Sequence, residues 1–302
     1  MKTLAVVVLN WNGLADTRAL LPTLTACRMP PGWALQTWVV DNGSSDGSVA
    51  ALAPEFPAVR WVTLPDNRRF AGGNNEGLRR ALAEGADAVA LLNNDTLADP
   101  GLFEHLLLAL EQDPAAGAAA PLIYYGAPSD RIWYAGGRVA TALGLTSHRG
   151  LRERDHGQYR TVEQTGYLTG CCLVAWRAVW EQVGPLDERY FIYAEDADWC
   201  LRARHAGYRL LFVPTARLWH SVSASSAAMS PWKVYQRTRA NLTLFATHAR
   251  GLGRLTWWPA YAAQELARMV WLLARGHGAA AWALPRAFAD AGMGKAAAEV
   301  KR

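Results

Sequence analysis

The feature that most constrains this chain is a set of short apolar runs that each end abruptly in asparagine and aspartate. Leu4 to Leu9, with three consecutive valines, passes straight into Asn10-Trp11-Asn12-Gly13. Trp38 to Val40 leads into Asp41-Asn42-Gly43-Ser44-Ser45-Asp46-Gly47, and Val89 to Leu92 into Asn93-Asn94-Asp95. Unbroken apolar runs of this length suit strands buried on both faces, as in parallel sheets. Between them lie helix-like stretches at Thr17 to Cys27, after Gly47, and at Asn74 to Glu84, with Val59 to Leu64 as a further strand. This alternation predicts βαβ units and an α/β fold with a mostly parallel, doubly wound sheet. Ligands of such sheets sit beyond the carboxyl ends of the strands, so the three polar clusters are the places to expect chemistry.

Farther along, Tyr124 to Tyr167 loses its periodicity and reads as loop and hairpin. Tyr167 to Trp176 returns to strand, Arg177 to Val183 to helix, and Asp196 to Ala206 to a helix stopped by Gly207. With 302 residues, 51% of them hydrophobic, the chain can bury a full core. It reads as a catalytic domain over 1–230 and a helical tail over 231–302. Charge supports the division, since the first part carries a net −3 and the tail +8. A near-neutral body argues against a nucleic-acid binder, and the basic, Trp-rich tail points to an anionic surface such as lipid headgroups. Residues 255–274 are long enough to span a bilayer, but Glu265, Arg268 and Pro259 favour a helix lying in the headgroup region, or one packed on protein. Cys27, Cys171, Cys172 and Cys200 form no C-x-x-C pair and suit reduced thiols in a cytoplasm. The first apolar run, interrupted by Asn10 and Asn12, reads as a strand and not as a signal peptide.

Each cluster admits a chemical and an ordinary reading. Asp95, at the end of a strand, can ligate Mg²⁺ or Mn²⁺ beside a diphosphate, or belong to a polar turn. Asp41 can accept the ring N–H of a pyrimidine while Trp11 stacks on it, or close a Gly- and Ser-rich turn. Phe70-Ala71-Gly72-Gly73-Asn74-Asn75 precedes the expected helix at Asn74 and can offer backbone N–H groups to an anion, although its spacing is not that of a dinucleotide fingerprint. In Glu195-Asp196-Ala197-Asp198, clustered acids beside aromatic residues can supply a general base, or merely an acidic helix start with an Asp198–Arg202 pair. His220 is a histidine that can sit in a core or complete a metal site.

Taken in order, Val6 through Gly13, Val39 through Gly47, Asn67 through Asn75, Leu91 through Asp95, Tyr193 through Cys200 and Trp219-His220-Ser221 resemble family 2 glycosyltransferases of the GT-A fold, in particular a bacterial rhamnosyltransferase-like branch. The resemblance implies that Leu9, Asn10, Trp11 and Asp41 surround the nucleobase. It implies that Asn67, Phe70, Gly73, Asn74 and Asn75 lie along the donor ribose and diphosphate, with Asn93 and Asn94 beside them and Gly170 and Cys171 near the donor sugar or acceptor. Asp95 becomes the metal-binding end of a degenerate D-x-D motif, His220 a further metal ligand, and Asp196 the base. The implied reaction is an inverting single displacement from a dTDP- or UDP-sugar to a hydroxyl of a polysaccharide or lipid-linked glycan. A catalytically silent nucleotide- or glycan-binding module of the same fold is the alternative. Neither reading fixes the oligomeric state, and both leave the protein cytoplasmic, or peripheral on the inner face of a membrane.

Overall fold

In the computed structural model, which describes residues 1–221 and 230–292, the first apolar run forms β1 (Lys2–Asn10), and every residue from Leu4 to Val8 is buried. Successive strand side chains alternate between faces, so this burial demands cover on both. β2 (Trp33–Asp41) and β4 (Ala88–Asn93) flank β1 in parallel, and β3 (Arg60–Thr63) extends the sheet beyond β2. The intervening helices are α1 (Leu14–Thr25), α2 (Ser48–Glu55) and α3 (Arg69–Ala83).

The second half adds β5 (Thr96–Ala98), α4 (Leu102–Gln112), β6 (Ala116–Tyr125), β7 (Ile132–Tyr134), the hairpin β8 (Gly137–Ala140) and β9 (Leu145–His148), then β10 (Glu163–Gln164) and β11 (Cys172–Trp176). α5 (Arg177–Val183), α6 (Glu195–His205) and β12 (Arg209–His220) follow. The main sheet runs β10-β12-β6-β11-β4-β1-β2-β3, with β5 on β12 and β7 on β6. The fold is thus α/β with a mostly parallel sheet, into which β11 is inserted antiparallel between β4 and β6.

Register brings the polar clusters to one edge. Asn10 lies opposite Asp41 and Leu9 opposite Asn93, so three parallel strands end together. Because β11 runs the other way, with Cys172 opposite Leu92, the residues just before it, Gly170 and Cys171, arrive at the same edge. There His220, the last residue of β12, pairs with Thr96 of β5.

Two elements depart from the sequence expectation. α3 begins at Arg69, not at Asn74, so Phe70 through Asn75 lie inside the helix instead of preceding it. Its glycines read as loop, yet they are needed for contact: a Cβ on Gly73 would come 2.4 Å from Leu9 Cδ1, and one on Gly77 2.4 Å from Val7 Cγ1. Packing on the sheet outweighs their poor helix propensity of about 1 kcal/mol each. The expected strand from Tyr167 starts only at Cys172. The N–H groups of Gly170 and Cys171 are taken by Asp196 Oδ2 at 2.8 Å and Thr169 Oγ1 at 3.3 Å, which removes them from the ladder. Tyr124 to Tyr167 contains the hairpin expected there, together with β7 and β10. Gly207 follows α6 in a left-handed conformation, φ 96°, as its stop role requires.

The tail forms α7 (Pro231–His248), α8 (Gly253–Ala274) and α9 (Gly278–Gly292), and its residues 293–302 lie outside those described. Leu242, Leu244 and Phe245 of α7 join the main core, while Val234 and Tyr235 build a second cluster with Leu272 and Leu284. The tail is therefore packed onto the body through α7. All four cysteines are free.

Candidate active site

At the strand edge a network of buried amides sets the shape of the cleft. Asn10 is fully buried; its Nδ2 donates to Asp41 Oδ1 at 2.8 Å, and its Oδ1 accepts from Thr17 Oγ1 at 2.9 Å and Asn94 Nδ2 at 3.3 Å. Asp41, 3% exposed, also accepts the Ser44 N–H at 3.1 Å. Asn10 and Asn94 therefore hold Asp41 and the strand ends in place, with the Asn10 side chain itself enclosed. Trp11 stands beside them, 40% exposed.

Asn42, next to Asp41, anchors the following loop. It donates to Asn67 Oδ1 and the Arg69 carbonyl and accepts the Arg68 N–H at 2.8 Å. Asn67 in turn accepts the Arg69 N–H at 2.7 Å where α3 begins. Within α3, Gly73 faces Leu9, and Asn74 is buried and donates to the Phe70 carbonyl. Asn75 is turned away to clamp Leu186, donating to its carbonyl at 2.9 Å and accepting its N–H at 3.0 Å. Gly73 and Asn74 thus serve helix packing, Gly73 by close approach to Leu9 and Asn74 by its bond to Phe70, and are not part of a loop of free N–H groups.

Asp95 Oδ1 lies 3.1 Å from His220 Nε2, although 125 residues separate them in sequence. The Ser221 N–H donates to the Asp95 carbonyl at 2.8 Å, which locks the end of β12 to this turn. His220 Nδ1 is buried without a hydrogen-bond partner among the described residues. The Trp133 ring meets the His220 and His148 rings edge-on, each with centroids 4.7 Å apart. Asp16 of α1, unremarkable in the sequence, has its carboxyl raised by partial burial and by the charge of Asp95.

Asp196 and Asp95 both lie within electrostatic reach of Cys171. The Asn93 N–H donates to the Cys171 carbonyl at 3.0 Å on one side, and the Gly170 N–H to Asp196 on the other. Burial, then the charges of Asp95, Cys172 and Asp196, push the Cys171 thiol well up and keep it neutral. A Cβ on Gly170 would lie 3.2 Å from the Phe70 ring and 3.4 Å from Asp196 Cβ, so glycine leaves the approach to this carboxylate open.

Asp196 is half-buried at the start of α6, and burial raises its carboxyl above the ordinary range against hydrogen bonds from Gly170 and Ala197. Its neighbour Glu195 is 6% exposed, with Oε2 lacking a partner among the described residues; burial and the charge of Asp196 push it up to about 8. Tyr193 and Ala194, just before the helix, both have positive φ, 72° and 65°. Two such non-glycine residues in succession store strain of about 1–3 kcal/mol each, a cost that concentrates at functional sites. Asp198 takes the expected pair with Arg202 at 2.9 Å and, unexpectedly, bonds His248.

Further residues join from distant segments. Arg237 of α7, to which the sequence reading assigned no role, acts by its charge on Tyr167, Tyr193 and His148. Arg69 stacks on Phe191, 4.1 Å from the ring centroid, and Phe191 meets Trp232 of α7 edge-on. They lie in separate segments, and the fold gathers them.

The Asp95–His220 pair suits a shared divalent cation, because ligands about 2.1 Å from a metal and at right angles stand roughly 3 Å apart. Among the described residues no group of three or more His, Cys, Asp or Glu is arranged to hold a metal ion, so phosphate oxygens and water would complete such a shell.

Known proteins similar to this chain are glycosyltransferases. The chain is 29% identical over 245 residues to an N-acetylglucosaminyl-diphospho-decaprenol L-rhamnosyltransferase of Mycobacterium tuberculosis, covering 74% of this chain and 77% of the relative. It is 24% identical over 210 residues to a dTDP-rhamnosyl transferase of Shigella flexneri, covering 67% of each. Among solved structures it is similar to a mannosyltransferase of Pyrobaculum calidifontis in complex with GDP-mannose and Mn²⁺, at TM-score 0.58 and 19% identity, covering 98% of this chain and 76% of that one. It also matches GalNAc-T7 with UDP, GalNAc and Mn²⁺, at TM-score 0.64 and 15% identity, over 83% of this chain and 49% of that one. These two likenesses establish the GT-A fold. Residues 6–184 match the glycosyl transferase family 2 signature, and the chain belongs to that family, a group of glycosyltransferases with a rhamnosyltransferase-like branch.

Proposed function

We propose that this chain is an inverting glycosyltransferase that moves rhamnose, or another hexose, from a dTDP- or UDP-linked donor to a hydroxyl of a polysaccharide or lipid-linked glycan. The observation that carries the reading is that Asp196 and the Asp95–His220 pair are gathered about the same segment, Gly170 and Cys171. In it, Asp196 removes the proton of the attacking hydroxyl, and burial, which raises its affinity for protons, favours that role. Asp95 and His220 hold Mg²⁺ or Mn²⁺, which when bound offsets the charge of the departing diphosphate. Asp41 reads the nucleobase beside Trp11, with Asn10 and Asn94 keeping its carboxylate oriented. Phe70 and Gly170 border the donor sugar, and Asn67 through Asn75 shape the wall along the ribose and diphosphate.

The lipid-linked glycan named for the mycobacterial relative supports an acceptor of that class. No helix among the described residues is long and apolar enough to cross a membrane. A peripheral position on the inner membrane face belongs to the same reading. Asp196→Asn tests the assignment: transfer from dTDP-rhamnose or a UDP-hexose falls at least about 10³-fold while nucleotide binding persists. Unchanged turnover in that variant would remove Asp196 from the mechanism.

A further inference from the structure

α8 has 22 residues, and no exposed residue from Leu255 to Ala274 is charged. Glu265 and Arg268, the two charges in that span, are 8% exposed and half-buried, and they pair with each other at 3.4 Å. The outward arc instead presents Leu255 (75% exposed), Trp258 (55%), Leu266 (63%), Val270 (60%) and Leu273 (45%) at helical spacing. The opposite face is engaged: Tyr261 and Leu272 are buried, and Tyr261 stacks on Phe288 of α9. On the flanks, Leu143 at the hairpin turn and Trp282 on α9 are also exposed, at 56% and 66%. Thr256 and Gln264 bind that turn, donating to the carbonyls of Ala142 and Leu143. A contiguous apolar surface of this kind on a soluble body marks an interface.

We infer that the outward arc of α8 is a bilayer-docking face that seats the enzyme on anionic lipid headgroups. Charge selects the occupant. Residues 231–302 carry a net +8, with Arg254 and Arg275 exposed at the two ends of α8. Anionic lipid complements that charge, whereas a second copy docked through α8 would set two +8 tails against each other. Trp258 on this arc matches the headgroup region, where an amphipathic ring has both an apolar and a wet side.

The face is tied to the candidate active site through the β8–β9 hairpin. One end of the hairpin, the 141–145 turn, rests on α8, and the other, His148, meets the Trp133 ring that packs on His220. Four strand residues span about 14 Å, so a diphosphate at headgroup depth lies within reach of the site. This link rests on the proposed lipid-linked acceptor; the docking face itself stands on α8.

The test uses the full chain with phosphatidylcholine vesicles, with and without phosphatidylglycerol, in a co-sedimentation assay. The wild type partitions onto phosphatidylglycerol vesicles and is released by salt. Leu266→Glu/Val270→Glu binds at least about tenfold more weakly, while melting like the wild type and keeping transfer to a short soluble acceptor. Failure of the wild type to bind, or equal binding by the double variant, overturns the inference. So does self-association of the wild type in sedimentation velocity that the double variant abolishes. Vesicle binding without transfer to any acceptor would instead count against the glycosyltransferase reading and leave the docking face standing.

Discussion

His248, in the last turn of α7, lies with Nε2 2.7 Å from Asp198 Oδ1, and both residues are buried. Fifty residues apart in sequence, they fasten the tail to the helix that carries Asp196. Burial raises the Asp198 carboxyl, but the bonds from His248 and Arg202 outweigh it and hold the group below its ordinary value. A carboxyl with a depressed folded pKa contributes stability above its unfolded pKa and loses it as pH falls through the folded one. His248→Ala leaves Asp198 with Arg202 and a weak Tyr190 contact, so it is expected to cost about 2 kcal/mol in urea unfolding near neutral pH. A loss under 0.5 kcal/mol, as for a typical surface change, would show that the tail is held by packing alone.

Removal of the metal, or of either side chain proposed to hold it, is expected to act on donor binding. With a dTDP- or UDP-sugar present, Mn²⁺ raises the melting temperature of the wild type, and chelation reverses the rise. Asp95→Asn and His220→Gln each abolish the Mn²⁺-dependent part while leaving the fold intact in circular dichroism. An undiminished Mn²⁺ effect in both variants would place the cation elsewhere.

Glu195 offers a pH prediction of definite sign. Its folded pKa, about 8, lies above the model-peptide value of 4.5, so between these values the folded state binds more protons than the unfolded state. Stability therefore falls as pH rises through that window, by on the order of 1 kcal/mol between pH 7 and pH 9. Glu195→Gln, which resembles the protonated side chain, flattens this decline and retains transfer at pH 7. Parallel urea titrations at the two pH values measure it; identical slopes for variant and wild type would mean that Glu195 is ionised in the fold.

Gly77 sets two effects against each other. Alanine gains about 1 kcal/mol of helix propensity, but its Cβ would lie 2.4 Å from Val7 Cγ1 and 2.8 Å from Val40 Cγ2, both fully buried. Overpacking of this kind costs about 1–3 kcal/mol, and neither β-branched neighbour can turn aside. Gly77→Ala is expected to destabilise the chain by about 1–2 kcal/mol net in chemical denaturation. A stabilised variant would show that α3 can lift from the sheet.

What the sequence by itself determined is what periodicity and strand ends encode. Continuous valine and leucine runs specify strands covered on both faces, and a parallel sheet of such strands must bring Asn10, Asp41 and Asn93 to one edge. The family pattern likewise singled out Asp95, Asp196 and His220 before any contact was known. Only the tertiary structure decided how these residues meet. The antiparallel insertion of β11 delivers Gly170 and Cys171 to the strand edge beside both carboxylates, and Asp196 itself delays the start of that strand by taking the Gly170 N–H. The glycines of α3 look like a loop until the sheet beneath them requires close approach. Asp16 and His248 carry no local signature, because their surroundings come from segments tens of residues away. A periodic pattern reports which way a side chain faces, whereas its partner, burial and proton affinity are set by chain closure over those distances.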